Sequence, residues 1–281
     1  MSLSILTNIS AMQTHSNLLA SSNAVSQSMQ RLSLGLRINN ASDDAAGYAI
    51  SQGLTAQVNG LDQAGRNVGD AVSMVQTAES SMNNIQSMLQ RVRELAVQYQ
   101  NGSLQSSDKT AIQGEVDQLT GEIKRQRGSV AFNGSNLLDG SAGAAGVGVT
   151  FQVGANAADT LTASFGDIQS AMATGFDWSS TGSNFSLASL GSAALGDLDT
   201  AIQNVSSNAA TLGSVQNRLQ YTSDAITATE TNLSSSNSRI KDVDMASEMT
   251  KMTQEQILQQ AGTSMLAQAN SAPQMVLKLL G

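Results

Sequence analysis

Apolar residues recur at every seventh position of LDTAIQNVSSNAATLGSVQNRLQYTSDAITATETNLSSSNSRI, residues 198–240. The members of this run are Leu198, Val205, Leu212, Leu219, Ile226, Leu233 and Ile240. A second run with the same spacing lies nearer the N-terminus and comprises Leu54, Leu61, Val68, Val75, Met82 and Leu89. A sustained seven-residue apolar repeat is typical of helices that bury one narrow stripe against other helices. The runs therefore predict two long helices, and a helix over 44–100 would be about 80 Å long. A rod of that length has much surface for its core, so we expect it to pack against other chains.

The composition suits long, thin helical packing rather than a large aromatic core. Charged residues make up 13% of the chain and aromatic residues 3%, whereas typical domains are about 25% charged. The net charge is −8 and the 14 Lys and Arg are scattered, so the basic face needed for nucleic-acid binding is missing. The net negative charge favours solubility and causes weak repulsion between copies of the chain.

Residue types that carry chemistry are scarce. There is no cysteine, and His15 is the single histidine, which excludes disulfides, thiol nucleophiles and a multi-histidine metal site. Phosphate-binding glycine motifs are absent. We therefore predict no catalytic, cofactor-binding or metal-binding residues and no enzyme activity, and we interpret His15 as a surface or interface residue.

The N-terminal sequence MSLSILTN does not look like a secretory signal peptide, because it lacks a basic n-region and a continuous apolar h-region. No stretch approaches the roughly 18 apolar residues that a membrane helix requires. We expect neither membrane nor nucleic-acid partners.

Amphipathic helices are predicted at both ends of the chain. The first covers residues 3–36, with an apolar stripe formed by Leu18, Val25, Met29, Leu32 and Leu36. The last covers 243–280, with a stripe formed by Met245, Met249, Met252, Leu258 and Met265. The polar segment 39–44 favours a turn between the first helix and the next. Ser42, Asp43 or Asp44 is expected to cap that next helix, and capping is favoured over a catalytic carboxylate pair.

The middle of the chain has a different character. A shorter helix is predicted over 105–127, and Asn133-Gly134 is a turn signal. Beyond residue 139, two β-leaning segments near 147–166 predict a β-hairpin. Serines at 234–238 weaken the prediction of the second long helix there. The predicted fold is mainly α, an antiparallel bundle or coiled coil that pairs N- and C-terminal helices, with the hairpin at its far end.

Several longer segments closely resemble bacterial flagellin, the filament subunit of the flagellum. The N-terminal segments are RINNASDDAAGYAI at 37–50, LQRVRELAVQ at 89–98 and FNG at 132–134. The C-terminal segments are SRIKDVD at 238–244, QILQQAGTS at 256–264, LAQAN at 266–270 and PQ at 273–274. Together they span roughly residues 1–140 and 195–281, whereas the middle is not diagnostic.

The resemblance implies a non-enzymatic structural protein that polymerises with itself into the filament used for swimming motility. Residues 1–43 and 241–281 would form the inner-tube domain, and 44–240 the rod domain, with no large outer domains. The family is exported unfolded by the flagellar type III apparatus, and an export chaperone holds the C-terminal helix. We expect that helix to be disordered alone and to fold on polymerising. Hook-associated junction and cap proteins are further implied partners.

The resemblance also implies recognition by the flagellin-sensing toll-like receptor. The matching positions here are Gln90, Arg91, Leu95, Gln98 and Glu115. Placed on the rod helices, they would be buried between subunits in a filament, so receptor binding would require free monomers.

Three alternatives to the filament subunit stay open at the level of sequence. The first is a hook–filament junction protein of the same architecture, and the second is an immune ligand or adhesin as the main role. An enzyme is the weakest alternative, because no catalytic cluster is visible. The flagellum itself is expected outside the cell, with a periplasmic flagellum as the other possible location.

Overall fold

The structure is a computed structural model that describes residues 7–142, 148–172, 185–190 and 193–280. Its long helices are α1 (Ile9–Leu34), α2 (Ala45–Tyr99), α3 (Ser106–Ser129), α6 (Ala193–Lys241) and α7 (Met245–Leu280). Its short elements are β1 (Ala131–Phe132), β2 (Ser135–Asn136), β3 (Val149–Gln152), β4 (Thr160–Ala163), α4 (Ile168–Ala171) and α5 (Leu187–Leu190). The mainly α fold with a small antiparallel strand region is therefore confirmed. Residues 3–6 of the predicted first helix and Val147 of the predicted hairpin lie outside the described residues.

The chain divides into two compact units. The terminal unit comprises Met1–Gln57 and Asn232–Gly281, and the central unit comprises Val58–Thr231. Helices α2 and α6 contribute residues to both units. The boundaries of these units lie after Gln57 and before Asn232. The boundaries expected for the inner-tube and rod domains were 43 and 241, so the terminal unit extends further into α2 and α6 than the expected inner-tube domain.

In the central unit, α2 and α6 run antiparallel. Gln86 donates a hydrogen bond to Ser206 across the pair at 3.1 Å, and Arg93 forms an ion pair with Asp199 seven residues away on each helix, about two turns. The apolar seam beside these polar contacts is closed, with Met82, Leu89 and Leu198 fully buried. Such a seam excludes water along one stripe of each helix, which is the burial that a seven-residue repeat specifies.

The expected position of the β-hairpin at the far end of the bundle is wrong. β3 and β4 pair antiparallel with Val149 opposite Ala163, but the hairpin lies beside the early part of α2, where Asn67 donates to the carbonyl of Gln152 at 3.0 Å. The reason is that α3 reverses the chain after α2. The ion pair between Arg91 and Glu115 shows α3 returning alongside α2, so the following residues lie back beside the first turns of α2 in this unit.

A second, smaller hairpin joins β1 to β2. Ala131 is opposite Asn136 and Phe132 opposite Ser135, which leaves Asn133 and Gly134 as a two-residue turn. Both have positive φ, 48° and 81°, as a type I′ turn requires, and Asn-Gly is the favoured sequence for it. The turn predicted from Asn133-Gly134 is confirmed.

In the terminal unit, α1 and α7 run antiparallel, and the loops that join the helices are held by side-chain caps. Asp44 Oδ1 accepts from the Gly47 N–H at 2.9 Å and caps α2, whereas Asp43 Oδ2 accepts from the N–H groups of Asn39 and Asn40 in the preceding loop. Of the three candidates, Asp44 is thus the cap, because its carboxylate reaches the free N–H groups of the first turn.

Two predicted helix limits differ from the structure. α1 ends at Leu34 rather than at residue 36, because Gly35 adopts a left-handed conformation with φ 71°, a common way to end a helix. α6 continues unbroken through the serines at 234–238. There Asn237 accepts from the buried Ser51 hydroxyl at 2.7 Å and donates to Thr55 at 3.2 Å, so tertiary hydrogen bonds offset a weak local helix preference.

Candidate assembly surface

Large apolar side chains are exposed mainly in the terminal unit. Of the described residues with an exposed large apolar side chain, all but Val97 and Tyr221 lie there. The terminal-unit members are Ile9, Met12, Leu19, Met29, Leu34, Ile50, Met245, Met249, Ile257, Leu258 and Met265. Exposed large apolar side chains that are concentrated in one unit make that unit a candidate interaction site. We refer to these eleven residues as the terminal apolar surface.

The residues predicted for inner-tube assembly are divided between interior and surface. Val25 is buried, and the partly exposed members are Leu18, Leu32, Leu36 and Met252. The members that remain exposed are Met29, Met245, Met249, Leu258 and Met265. Each of α1 and α7 buries one side against the other, so the apolar residues on the remaining sides stay in contact with solvent.

The buried face of α1 includes a polar residue that is not part of the predicted apolar stripe. Ser28 is 1% exposed, while its neighbour Met29 is 52% exposed. Ser28 lies three residues after Val25 and four before Leu32, which places all three on one helical face. The stripe drawn through Met29 therefore misplaces the contact face of α1 by one residue, because it follows hydrophobicity alone.

Ser28 belongs to a buried polar cluster between α1 and α7. Its hydroxyl donates to Glu248 Oε1 at 2.6 Å, and Glu248 is only 8% exposed. Arg31 Nη1 lies 3.9 Å from the same carboxylate oxygen, and the Arg31 Nε is buried without a hydrogen-bond partner. A buried carboxylate is retained where a cation and a donor compensate its desolvation. The sequence feature that indicates this cluster is an acidic residue, Glu248, among the methionines Met245, Met249 and Met252 in the first turns of α7.

The heptad residues of the central unit lie in its interior. Those that are buried are Leu61, Val68, Val75, Met82, Leu89, Leu198, Val205, Leu212, Leu219 and Ile226. The three heptad residues of the terminal unit, Leu54, Leu233 and Ile240, are partly exposed. The heptad residues are therefore buried in the central unit, which also contains α3 and the strands. They are more accessible to solvent in the terminal unit.

The five residues matched to receptor contacts differ in accessibility. Gln90, Arg91, Gln98 and Glu115 are exposed, whereas Leu95 is 2% exposed. Arg91 Nη2 lies 2.8 Å from Glu115 Oε1, and Arg91 Nη1 lies 3.1 Å from Glu94. The hydrogen bond from Arg91 to Glu115 raises the pKa of the guanidinium above its ordinary value. The pair of Arg91 and Glu115 is thus accessible on α2 and α3, and Gln90 and Gln98 are accessible on α2.

Within the described residues, no cluster of three or more histidine, cysteine or acidic side chains is arranged to hold a metal ion. In the same part of the chain, no helix is long and apolar enough to span a membrane. Asp43 and Asp44 are engaged with backbone N–H groups rather than with each other.

Long paired helices with large apolar side chains exposed on the terminal unit are typical of a helical structural protein. Residues 5–143 match the family described as bacterial flagellin N-terminal helical region, and 195–280 match its C-terminal helical region. The chain belongs to the bacterial flagellin family, the structural subunits of the flagellar filament.

Relatives match over almost the whole chain. A flagellin of Halalkalibacterium halodurans is 40% identical over 273 residues, which covers 97% of this chain and 98% of the relative. A flagellin of Bacillus subtilis is 41% identical, and so is the flagellar filament 33 kDa core protein of Treponema phagedenis, each with the same coverage.

Solved structures with the same fold include the crystal structure of Bacillus cereus flagellin. It is 30% identical, with a TM-score of 0.50, and the match covers 61% of this chain and 94% of that one. A putative flagellar hook-associated protein of Vibrio parahaemolyticus has a TM-score of 0.58 at 16% identity, covering 71% of this chain and 100% of that one; this likeness concerns the fold alone.

Proposed function

We propose that this flagellin polymerises through the terminal apolar surface, with residues 1–43 and 241–281 as the inner tube and 44–240 as the rod. The observation that carries the proposal is the concentration of exposed large apolar side chains in the terminal unit. Covering the remaining half of each such side chain would contribute about 1 kcal/mol. Eleven of them would thus contribute on the order of 10 kcal/mol before the entropic cost of association.

The interface is expected to be heterologous, since one side of the terminal unit would contact a different side of its neighbour. Such a contact does not close on itself and propagates as a helical filament. The buried heptad stripes would keep the rod straight enough to repeat that contact, and small shifts between packed helices would then change filament shape.

Truncation tests the role of the terminal helices. Deleting residues 245–281 should leave a soluble monomer, because α1 would lose its partner and the polymer would lose five members of the terminal apolar surface. Purified chains are mixed with fragmented filaments and followed by sedimentation and electron microscopy. Assembly retained by the truncated chain would contradict the proposal.

A point variant tests the same surface without removing a helix. Ile257→Asp adds a charge at an exposed apolar position of α7, whereas Gln118→Asp adds one at an exposed polar position of α3. The first should block assembly and the second should permit it, because only the first places an unpaired charge on the surface to be covered. Equal assembly of both variants would argue against α7 as the contact.

A hook–filament junction protein of the same architecture remains the second candidate. A filament subunit forms long fibres alone, whereas a junction protein forms only short oligomers. Electron microscopy of the purified, seeded chain distinguishes the two, and short oligomers alone would favour the junction role.

We further propose export of the unfolded chain by the flagellar type III apparatus, with a chaperone bound to α7 at exposed apolar residues that include Met245, Met249 and Leu258. In the assembled flagellum the chain would contact junction and cap proteins. Co-purification of the chaperone with the full chain but not with the 245–281 deletion is expected. Immunogold labelling of intact cells should show filaments outside the cell, and labelling only after outer-membrane permeabilisation would instead indicate a periplasmic flagellum.

Recognition by the flagellin-sensing toll-like receptor is proposed for the free subunit, through Gln90, Arg91, Gln98 and Glu115. Leu95 is buried in the central unit, so we assign it a supporting role beneath this patch. Exchanging the charges in Arg91→Glu with Glu115→Arg preserves an exposed ion pair, whose contribution to stability is about 0–1 kcal/mol. Receptor signalling by the free subunit should fall while its circular dichroism spectrum stays unchanged, and unchanged signalling would show that this patch is not the receptor contact.

Variants that cannot polymerise test whether the main role is that of an immune ligand or adhesin. Chains that cannot polymerise should lose motility if the filament is the main function. Strains that retain full host-cell binding but show no motility defect would favour the ligand or adhesin role instead.

A further inference from the structure

The chain contains three Asn-Gly dipeptides, and the structure places each of them in a different backbone setting. Asn59-Gly60 lies inside α2, Asn101-Gly102 lies in the connection between α2 and α3, and Asn133-Gly134 forms the type I′ turn between β1 and β2. All three asparagines are exposed. The last two dipeptides are both followed by serine, so a difference in their reactivity would come from the fold rather than from the next residue.

An asparagine that precedes glycine can lose its side-chain amide without an enzyme, and asparagine is accordingly a thermolabile residue. The backbone nitrogen of the glycine attacks the asparagine Cγ, the new N–Cγ bond closes a five-membered succinimide, and the Cγ–Nδ2 bond breaks. Nδ2 leaves as ammonia with the proton of the glycine N–H. Water then opens the ring to aspartate or isoaspartate. Glycine favours the attack because no Cβ shields its nitrogen.

The backbone around Asn101 meets the two requirements of this reaction, an available glycine N–H and a correctly placed side chain. Among the residues that the structure describes, the Gly102 N–H has no hydrogen-bond acceptor. The Ser103 N–H donates to Asn101 Oδ1 at 3.1 Å, which folds the Asn101 side chain back over the Gly102 peptide. The same bond draws electron density from Cγ and favours the negative charge that develops on Oδ1 during attack.

The other two dipeptides are held by regular hydrogen bonding. Within α2 the Gly60 N–H is directed at the carbonyl four residues earlier, and a Cβ built on Gly60 would lie 3.0 Å from that of Ala155. In the hairpin, Asn133 and Gly134 both have positive φ, which the two-residue turn requires. Closing a succinimide ring rotates ψ of the asparagine, so it would break the helix at Asn59 and the strand pairing beside Asn133.

We propose that Asn101-Gly102 is a site of spontaneous deamidation, at which the folded subunit converts Asn101 to aspartate or isoaspartate with water as the reactant. Either product adds a negative charge just beyond the C-terminal end of α2, where the helix dipole is already negative. Isoaspartate also lengthens the main chain between α2 and α3 by one carbon, close to the contact of the Lys109 ammonium with the Tyr99 ring at 5.3 Å. The connection between these helices would therefore change as the subunit ages.

The experiment incubates the purified full chain at pH 7.5 in water enriched in ¹⁸O. Peptide mapping by mass spectrometry then follows the heavy oxygen at positions 59, 101 and 133, which excludes deamidation that occurred before the incubation. A parallel sample is kept unfolded in urea. Gly102→Ala adds a Cβ beside the attacking nitrogen, and the added atom meets nothing within 4 Å. Gly114→Ala is the matched control, because its Cβ also meets nothing within 4 Å and it lies on α3.

In the folded chain, heavy oxygen should enter at Asn101 about tenfold faster than at Asn133 and about a hundredfold faster than at Asn59, because the latter two need local opening first. Unfolding should make the rates at Asn101 and Asn133 nearly equal. Gly102→Ala should slow the reaction at Asn101 about tenfold, whereas Gly114→Ala should not change it.

Three outcomes would overturn the inference. The first is a folded chain in which Asn59 or Asn133 reacts as fast as Asn101. The second is a tenfold difference between Asn101 and Asn133 that persists in urea, since the fold would then not be its cause. The third is an unchanged rate in Gly102→Ala, since the Gly102 nitrogen would then not be the attacking group. Each measurement uses the free subunit, so the result is independent of whether the chain polymerises as proposed.

Discussion

The side-chain amide of Asn8 donates a hydrogen bond to the backbone carbonyl of Ala269 at 2.8 Å. Position 273, four residues after Ala269, is the only proline of the chain and lies inside α7. Proline has no backbone N–H, so the Ala269 carbonyl lacks its helical donor. Asn8 also caps α1, since its Oδ1 accepts from the Ala11 N–H at 3.0 Å. One side chain thus begins α1 and satisfies the carbonyl that proline leaves free in α7.

Asn8→Asp is expected to weaken assembly by separating these two roles. Aspartate remains a good helix cap but has no N–H to donate to Ala269. The loss of one hydrogen bond corresponds to about 1 kcal/mol, or about a fivefold rise in the critical concentration for seeded assembly.

Pro273→Ala provides the control for this prediction. It restores the backbone donor to Ala269, so Asn8→Asp should cost little in that background. A double-mutant cycle between positions 8 and 273 should therefore give a coupling of about 1 kcal/mol. Additive effects would contradict the link between the cap and the proline.

Leu219→Asp is expected to unfold the central unit and abolish assembly. Leu219 is completely buried in the heptad seam, and an unpaired carboxylate there should reduce the free energy of unfolding by about 4 kcal/mol or more. Urea unfolding followed by circular dichroism measures the loss. Tyr221→Asp, two residues away and 75% exposed, should change the unfolding free energy by less than about 0.5 kcal/mol. Normal fibres from Leu219→Asp would refute the burial of the seam.

Glu248→Ala should weaken the pairing of α1 with α7. The change removes the acceptor of the buried Ser28 hydroxyl and leaves Arg31 without its carboxylate, which costs about 3 kcal/mol for a buried pair. The critical concentration should rise by about a hundredfold. Lys251→Ala, at an exposed position on the same helix, should leave it nearly unchanged. An equal effect of the two variants would mean that the buried cluster contributes nothing to pairing.

The stabilisation by Asp43 should depend on pH. The backbone N–H groups of Asn40 and Asn39 donate to its carboxylate and lower the pKa of Asp43 below its ordinary value. A lowered folded-state pKa stabilises the fold above the unfolded pKa of about 3.9, and this stabilisation disappears as pH falls through the folded value. Asp43→Asn should therefore be less stable than the natural chain at pH 7, and this difference in stability should be smaller at pH 2. Urea midpoints at the two pH values measure this difference, and a pH-independent difference would exclude the carboxylate as its source.

Several parts of the fold could be predicted because their causes are local. The repeat from Leu198 to Ile226 predicted a long helix, and the structure has α6 there, since a seven-residue apolar period is typical of helices. Asn133-Gly134 gave the right turn, because few dipeptides tolerate two positive φ values. The continuity of α6 through 234–238 was missed, since Asn237 stabilises it through Ser51 and Thr55, which are more than 180 residues away.

The sequence by itself determined the helical class of this flagellin, its two long apolar seams and its family. These depend on periodicity, composition and local motifs, which are present before the chain folds. Only the tertiary structure decided that Ser28 rather than Met29 faces α7, that the hairpin lies beside Asn67, and that Asn8 serves the carbonyl exposed by Pro273. Each of these depends on which surfaces meet after the chain has reversed direction, and hydrophobic spacing within one helix does not contain that information.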